Sequence, residues 1–454
     1  MGRTALLELS KDELVALVLA QAAQIEALMR RVAALEAKLN EPPKTPDNSS
    51  KPPSQGQKAD RRRPSQEERR QGRPGVARVL HPNPDRVVDA IVSHCPHCRA
   101  DLAPSVQTPQ QVYDRIELPP SKPDVTRVRL HGGRCAGCGG RFVADAPPGL
   151  EPGSPFGKSI EALVVYLHYA HAIGLERLAA LMGEVFGLTI SEGAISNILA
   201  RARAPLGAAA DAIAKRVKAS RVVGSDETSA RVDGQTWWEW VFVTSVAVLH
   251  IIRRSRGKAV PGDLFGDIRP PVWVSDMLGS QRGHGQAWQV CLAHLLRDAQ
   301  YVVDCGDTDF GTAFKRLLRR AIAIGRRRAD LKETTLRQYY RADLDRRLTR
   351  LLALAPTSAP GRRLRKRIAR FRDHFFVFVT ERDVPYTNNA AERSLRPSVV
   401  FRKVTNGFRS EWGAETYAAF RSVVSTAKAQ GRSVLDAIRA ALRQSPCLLA
   451  CAPR

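Results

Sequence analysis

Arg221-Val-Val-Gly-Ser-Asp-Glu-Thr-Ser-Ala-Arg-Val232 opens the part of the chain whose pattern decides the fold. Before it, apolar residues recur at helical spacing; from Arg221 they become β-branched and contiguous, so the period changes. Two further runs, 237–246 and 247–254, continue the pattern. Asp233-Gly234 between the first two runs reads as a hairpin turn, since this pair tolerates left-handed backbone. Residues 258–268 read as a short helix and 272–276 as a fourth strand. Asp226 closes the run Val222-Val223-Gly224-Ser225, and Asp276 closes Val272-Trp273-Val274-Ser275.

Three strands, a helix and another strand predict an α/β architecture that begins like an RNase H-like mixed sheet. This core is expected over 220–430. A helical insertion follows at about 285–380, rich in arginine at Arg326-Arg-Arg328 and Arg362-Arg-Leu-Arg-Lys-Arg367. The insertion separates Asp276 from Glu392, which stands in Thr387-Asn-Asn-Ala-Ala-Glu-Arg-Ser-Leu-Arg396, the start of a helix. A last helix and tail are expected over 431–454.

Carboxylates at the ends of neighbouring buried strands, joined by one on a packed helix, can hold two Mg²⁺ ions about 4 Å apart for phosphoryl transfer. Asp226 and Glu227 point to opposite faces of a strand, so only one of them can share a site with Asp276. Asp226 is the favoured one, and the residues alone leave the choice open. Asp263, Asp267 and Asp298 compete with Asp276; Glu381, Asp383, Glu411 and Glu415 compete with Glu392. Arg393 and Arg396, next to Glu392, suit phosphate contacts.

The 454 residues carry a formal net charge of +26 and a pI near 10.4, more than solubility requires. Such a charge gathers a polyanion and makes binding steeply salt-dependent, which points to nucleic acid. Residues 10–39 carry a heptad seam of Leu14, Val18, Gln21, Ile25, Leu28, Val32, Leu35 and Leu39, with Ser10 and Glu13 as a capping box. This predicts a coiled coil and self-association. Residues 40–87, rich in Pro and Ser and then in arginine (Arg61, Arg62, Arg63, Arg69, Arg70, Arg73), predict a disordered basic linker.

Residues 88–150 carry Cys95-Pro-His-Cys98 and Cys135-Ala-Gly-Cys138, two knuckles able to offer four thiolates to a structural Zn²⁺. Their separation exceeds the usual ribbon spacing, and His94, His97 and His131 are alternative ligands. Val125-Thr-Arg-Val-Arg-Leu130 reads as a strand leading into the second knuckle. Residues 158–215 read as helices with helix-turn-helix spacing around Gly187-Leu-Thr-Ile190; the second helix would present Ser196, Asn197, Arg201 and Arg203 outward. No apolar run reaches membrane-spanning length and no signal peptide is apparent, so a cytoplasmic, nucleoid-associated protein is expected.

These residues resemble the insertion sequence 66 family of DDE transposases, over nearly the whole chain. The likeness is strongest at Ser225-Asp-Glu-Thr228 and Thr387-Asn-Asn-Ala-Ala-Glu-Arg-Ser-Leu-Arg-Pro397. It continues through Arg402-Lys403, Gly413-Ala-Glu415 and Thr426-Ala-Lys428. The resemblance implies Asp226, Asp276 and Glu392 as a triad holding two Mg²⁺ or Mn²⁺ ions. It also implies terminal inverted repeats and target DNA as partners, with possible accessory proteins of the same element, and adds Arg402 and Lys403 as DNA contacts. Departures are Asp276-Met-Leu-Gly, where the family has Asp-Gly-Tyr, and Ser225, where it has alanine; Cys291-Leu-Ala-His294 matches the family's Cys-x-x-His element. The alternative reading is a catalytically inactive DNA-binding regulator or domesticated transposase.

Overall fold

The computed structural model describes residues 10–39, 41–49, 78–103 and 107–443. The six arginines of the basic arm and the tail beyond 443 lie outside the described residues. The chain divides into a larger unit, drawn from residues 1–58, 146–179 and 191–454, and a smaller one from 59–145 and 180–190.

In the larger unit a five-stranded mixed sheet forms where the period changes. Its strands are β3 (Val222–Val232), β4 (Gln235–Val243), β5 (Val248–Arg253), β6 (Val272–Ser275) and β7 (Ala287–Val290), in the order β5-β4-β3-β6-β7. β3, β4 and β5 pair antiparallel, while β3–β6 and β6–β7 are parallel. Asp233 and Gly234 turn the first hairpin at φ 46° and 72°, the left-handed backbone that a two-residue turn needs. Helix α5 (Ala259–Phe265) makes the crossover from β5 to β6. The structure is thus α/β, as the pattern predicts.

Alternation along the strands gives the sheet two different faces. On one lie Ser225, Glu227, Trp240, Phe242 and Trp273. Phe242 and Phe265 of α5 pack on Trp273 with ring centroids 6.0 and 5.4 Å away. On the other face Val241 and Val248 pack with Ala391 and Leu395 of helix α11 (Asn389–Thr405). That face is also covered by the buried helix α12 (Glu411–Ala429), which packs on β5 and on α4 (Glu192–Lys218).

Between β7 and α11 runs a helical block: α6 (Leu292–Asp304), α7 (Thr308–Arg327), α8 (Ala342–Ala353), α9 (Ala359–Phe371) and α10 (Val377–Thr380). Its expected start at 285 is corrected, because 287–290 form β7. Gln289 hides that strand from pattern reading: it is fully buried, donating to Phe375 O at 3.1 Å and accepting from Phe378 N–H at 3.0 Å. The expected linker over 40–87 is corrected at 41–49 alone, since 50–77 lie outside the described residues. Residues 41–49 lie on α6, where Asn48 donates to Asp304 at 2.9 Å and Tyr301 donates to Glu41 at 3.0 Å. Polar anchors rather than an apolar run hold the segment, so its composition resembles that of a free chain.

At the N-terminus α1 (Lys11–Leu39) has its capping box: Glu13 N–H donates to Ser10 Oγ at 3.3 Å and Ser10 N–H to Glu13 at 2.8 Å. The seam residues Val18, Ile25, Leu28, Val32 and Leu35 are exposed. In the smaller unit β1 (Gly132–Arg134) and β2 (Arg141–Val143) form a hairpin around the second knuckle. The expected strand 125–130 is corrected to irregular backbone, having no neighbouring strand among the described residues to complete a ladder. The helical segment resolves into α2 (Lys158–His171), α3 (Leu175–Phe186) and α4, with Gly187 at φ 63° after α3 and Ser191 capping α4 through Ala194 N–H at 3.2 Å.

Candidate active site

Parallel pairing of Gly224 with Val274 sets Asp226 and Asp276, each two residues further on, level with one another. Asp276 directly follows β6, while Asp226 lies within β3, which the residue pattern closes there but which runs on to Val232 along β4. Equal parity aims both toward the face covered by α11. The start of α11 is fastened there by Asn388: its Nδ2 donates to Ser225 O at 2.8 Å, and its backbone N–H donates to Cys291 Sγ at 3.1 Å. Gly224 permits this approach, for a Cβ there would stand 3.3 Å from Asn388 Oδ1. Leu292 N–H donates to Tyr386 O at 3.0 Å, tying the segment before α11 to the first residue of α6. Glu392, in the first turn of α11, is thereby brought over the sheet end.

Electrostatics link the group. Burial first, then the charges of Glu227 and Asp276, hold the Asp226 carboxyl well above the usual carboxylate range; Glu392 adds to this, and the Glu227 N–H opposes it. Glu227, on the opposite face, is raised by burial and by Asp276. It accepts from Arg256 at 3.0 Å and from Gln281 at 2.7 Å, and Gln281 accepts from Trp273 Nε1 at 3.2 Å. Asp276 accepts from Leu278 N–H at 3.0 Å, which shapes the turn after β6.

Glu392 lies 3.7 Å from His294 Nδ1 and 3.9 Å from Arg297, and its Oε1 and that Nδ1 are buried without a hydrogen-bond partner. Among the described residues, the donors of Cys291, His294 and Glu392 form the set of three within 4.8 Å of one another; Asp226 and Asp276 stand outside that spacing. Burial pushes the Cys291 thiol up to about 11, so at neutral pH it acts as the uncharged acceptor for the start of α11. Burial, then Arg297, lowers His294. An unpartnered carboxylate oxygen beside repelling carboxylates is a donor set that fits a divalent cation, which would relieve the repulsion. The sequence marked Cys291 and His294 only through the family's Cys-x-x-His spacing at the start of α6, and did not place them beside Glu392.

A model of the Transposase IS66 family matches residues 153–416. The chain belongs to the IS66 transposase family. No curated protein matches it. Membership makes this a transposase, with DNA as partner and divalent metal in use.

In the IS66-family chain the predicted DNA contacts fall into two groups. Arg393, Arg396 and Lys403 on α11, and Asn197 on α4, are exposed. Arg402 donates to Ser229 at 2.9 Å, Arg201 pairs with Glu161 at 2.9 Å, and Arg203 pairs with Glu415 at 2.8 Å. The two knuckles share one turn. Cys95 N–H donates to Ala100 O and Cys135 N–H to Gly140 O, each at 2.9 Å, with Arg99 and Gly139 in left-handed backbone. N–H groups of Cys98 and His97 lower the Cys95 thiol, and those of Cys138 and Gly137 lower Cys135, which suits thiolate ligands. The four cysteines are not gathered into one set within 4.8 Å among the described residues. No helix among the described residues is long and apolar enough to cross a membrane.

The Asn388 side chain bonds Ser225 O rather than the Glu392 carboxylate, and its backbone oxygen accepts the Glu392 N–H at 3.2 Å, so Asn388→Ala is expected to reduce metal-dependent DNA cleavage about 100-fold through loss of alignment. DNA affinity should stay within about twofold of the parent. Single-turnover cleavage alongside equilibrium binding checks this; unchanged cleavage would show that Asn388 does not set the site.

Proposed function

We propose that this transposase has an RNase H-like Asp-Asp-Glu core that binds the terminal inverted repeats of its insertion sequence, cuts there and joins the freed 3′-OH to target DNA. What carries the reading is that the parallel register of β3 and β6 sets Asp226 level with Asp276, while Asn388 fastens the start of α11, and so the turn bearing Glu392, to Ser225 beside them. Asp226, Asp276 and Glu392 would hold two Mg²⁺ or Mn²⁺ ions, supplying Lewis acidity to the attacking and leaving oxygens.

The chain's own part is alignment and charge. Water first replaces the 3′ oxygen at the transposon-end phosphodiester, breaking one P–O bond and forming another. The freed 3′-OH then does the same to a target phosphodiester. Arg393 and Arg396 hold backbone phosphates beside the cut, with Arg402 and Lys403 further along α11. Asn197 reads or grips DNA from α4, and Arg201 joins it by exchanging Glu161 for phosphate. Cys95, Cys98, Cys135 and Cys138 bind a structural Zn²⁺. The exposed seam of α1 pairs with a second copy, and proteins of the same element assist. The charge of +26 suits work on the nucleoid in the cytoplasm.

The test uses purified full-length chain, Mg²⁺ or Mn²⁺, and duplexes carrying the inverted repeats that flank the gene. Expected products are nicks leaving 3′-OH ends and joined strands, absent with EDTA. Binding of those ends with no cleavage in either metal would reject the enzyme in favour of a DNA-binding regulator.

A further inference from the structure

Arginine is spread widely over the helical block, but one cluster is built differently from the rest. Arg282, in the loop between β6 and β7, stands 4.4 Å from the centre of the Phe371 ring, and Arg370 of α9 stands 5.2 Å from the same ring. Phe371 is itself held edge-on by the buried Trp288 of β7 at 5.7 Å. Arg367, one turn before Phe371 on α9, pairs with Asp298 of α6. Two guanidiniums on one ring, with a third beside them, repel each other.

Three observations suit an anion at this place. The Nε atoms of Arg282 and Arg367 are buried with no hydrogen-bond partner, which leaves donors unused where water is excluded. Arg282 is lowered by burial first, then by Arg370 and Arg367, with Asp276 pulling the other way, so the cluster lies within electrostatic reach of the candidate site. Arg282 also donates to Met277 O at 3.1 Å, so the residue after Asp276 carries the position of this guanidinium. Asp298 neutralises one charge of the three. Planar guanidiniums held on an aromatic ring present a fixed fork of donors, matching phosphate better than flexible ammonium groups do.

We propose that Arg282, Arg367 and Arg370 form a phosphate-binding site that holds the DNA backbone where it passes Asp276, with Phe371 as its platform. The inference rests on reading Asp276 as part of the DNA-cutting centre, and it adds a strand path over the helical block to the contacts expected along α11. Two strands approach such a centre, the one cut and the one joined, and the arginines of α9 and α11 come from different elements.

The test measures binding of a fluorescein-labelled duplex of about 40 bp to full-length protein by anisotropy, from about 50 to 200 mM salt. Arg282→Gln with Arg370→Gln is compared with Arg346→Gln plus Arg350→Gln, an equal loss of charge at exposed positions on α8. The first double variant should bind about tenfold more weakly, and its slope of log affinity against log salt should fall by about one per guanidinium removed. The second should stay within about twofold. Unchanged binding in the first, or equal losses in both, overturns the proposal. Arg370→Gln alone, at an exposed site, carries the test if the double variant melts early. Asp226→Asn, assayed for binding in the same way and for cleavage of the same duplex with Mg²⁺, keeps the two ideas apart. Normal cleavage by that variant rejects the catalytic reading whatever the arginines do, and normal binding by the arginine variant rejects this site alone.

Discussion

Asp226→Asn is expected to lower divalent-metal-dependent cleavage by on the order of 10³-fold, about 4 kcal/mol of barrier, while DNA binding is retained. Asn keeps the shape of the side chain and removes the charge a cation needs. The same substitution should make the metal-free protein more stable at neutral pH. Burial and the charges of Glu227, Asp276 and Glu392 raise the Asp226 carboxyl in the folded chain. The native state therefore binds that proton more tightly than the unfolded state does. Its stabilisation is complete below the ordinary carboxylate pKa of about 4 and is lost as pH rises through the raised value. Melting temperatures in EDTA should thus diverge as pH rises, the parent falling below the variant. Mn²⁺ should then lift the parent and leave the variant nearly unmoved. Cleavage by Asp226→Asn at the parental rate would remove this residue from the centre, and a variant less stable than the parent at neutral pH would contradict the electrostatic account.

Part of this was legible in the residues and part was not, for definite physical reasons. Asp233-Gly234 announced its hairpin because few residue pairs accept two successive left-handed conformations. Strand parity put Asp226 and Glu227 on opposite faces, and they do have different surroundings: Glu227 faces Gln281 and Trp273, while Asp226 faces the start of α11. What pattern reading could not supply was any feature fixed by a distant partner. Gln289 is polar in the middle of a strand because Phe375, between α9 and α10, and Phe378, in α10, consume its hydrogen bonds. Residues 41–49 are ordered by Asp304 and Tyr301, which lie more than 250 positions away in the chain. The role of Cys291 depends on the N–H of Asn388 arriving at its sulfur, which a local motif does not encode. Conversely, Val125-Thr-Arg-Val-Arg-Leu130 has the alternation of a strand but no neighbouring strand among the described residues, and alternation alone does not make a ladder.

Glu239→Ala should cost about 3–5 kcal/mol of stability, because this buried carboxylate is the acceptor on which several elements converge. It is 2% exposed on β4; its Oε1 accepts from Ser398 Oγ of α11 and from His250 Nδ1 of β5, each at 2.8 Å. Burial lowers His250 more than Glu239 raises it, so the imidazole is neutral: Nδ1–H donates to the carboxylate and Nε2 accepts from Ser425 Oγ at 3.1 Å. Tyr417 Oη donates to Ser398 at 3.1 Å, closing the cluster across α12. Truncation strands two donors and opens a cavity at once, and for a domain of this size the melting temperature should fall by about 10 °C. Glu239→Gln retains an acceptor oxygen and should cost only about 1–2 kcal/mol. Ser398 lies on the same helix as Glu392, so the loosened α11 of the Ala variant should also cleave DNA more slowly at temperatures well below its melting point. A second sign comes from pH. The folded state disfavours the His250 proton, so this contribution is complete above the ordinary imidazole value of 6.5 and is lost as pH falls below it. Equal damage from Gln and Ala would mean that charge, not acceptor geometry, holds β4, β5, α11 and α12 together; an unshifted melting temperature in the Ala variant would mean that the apolar packing of α11 on the sheet suffices without it.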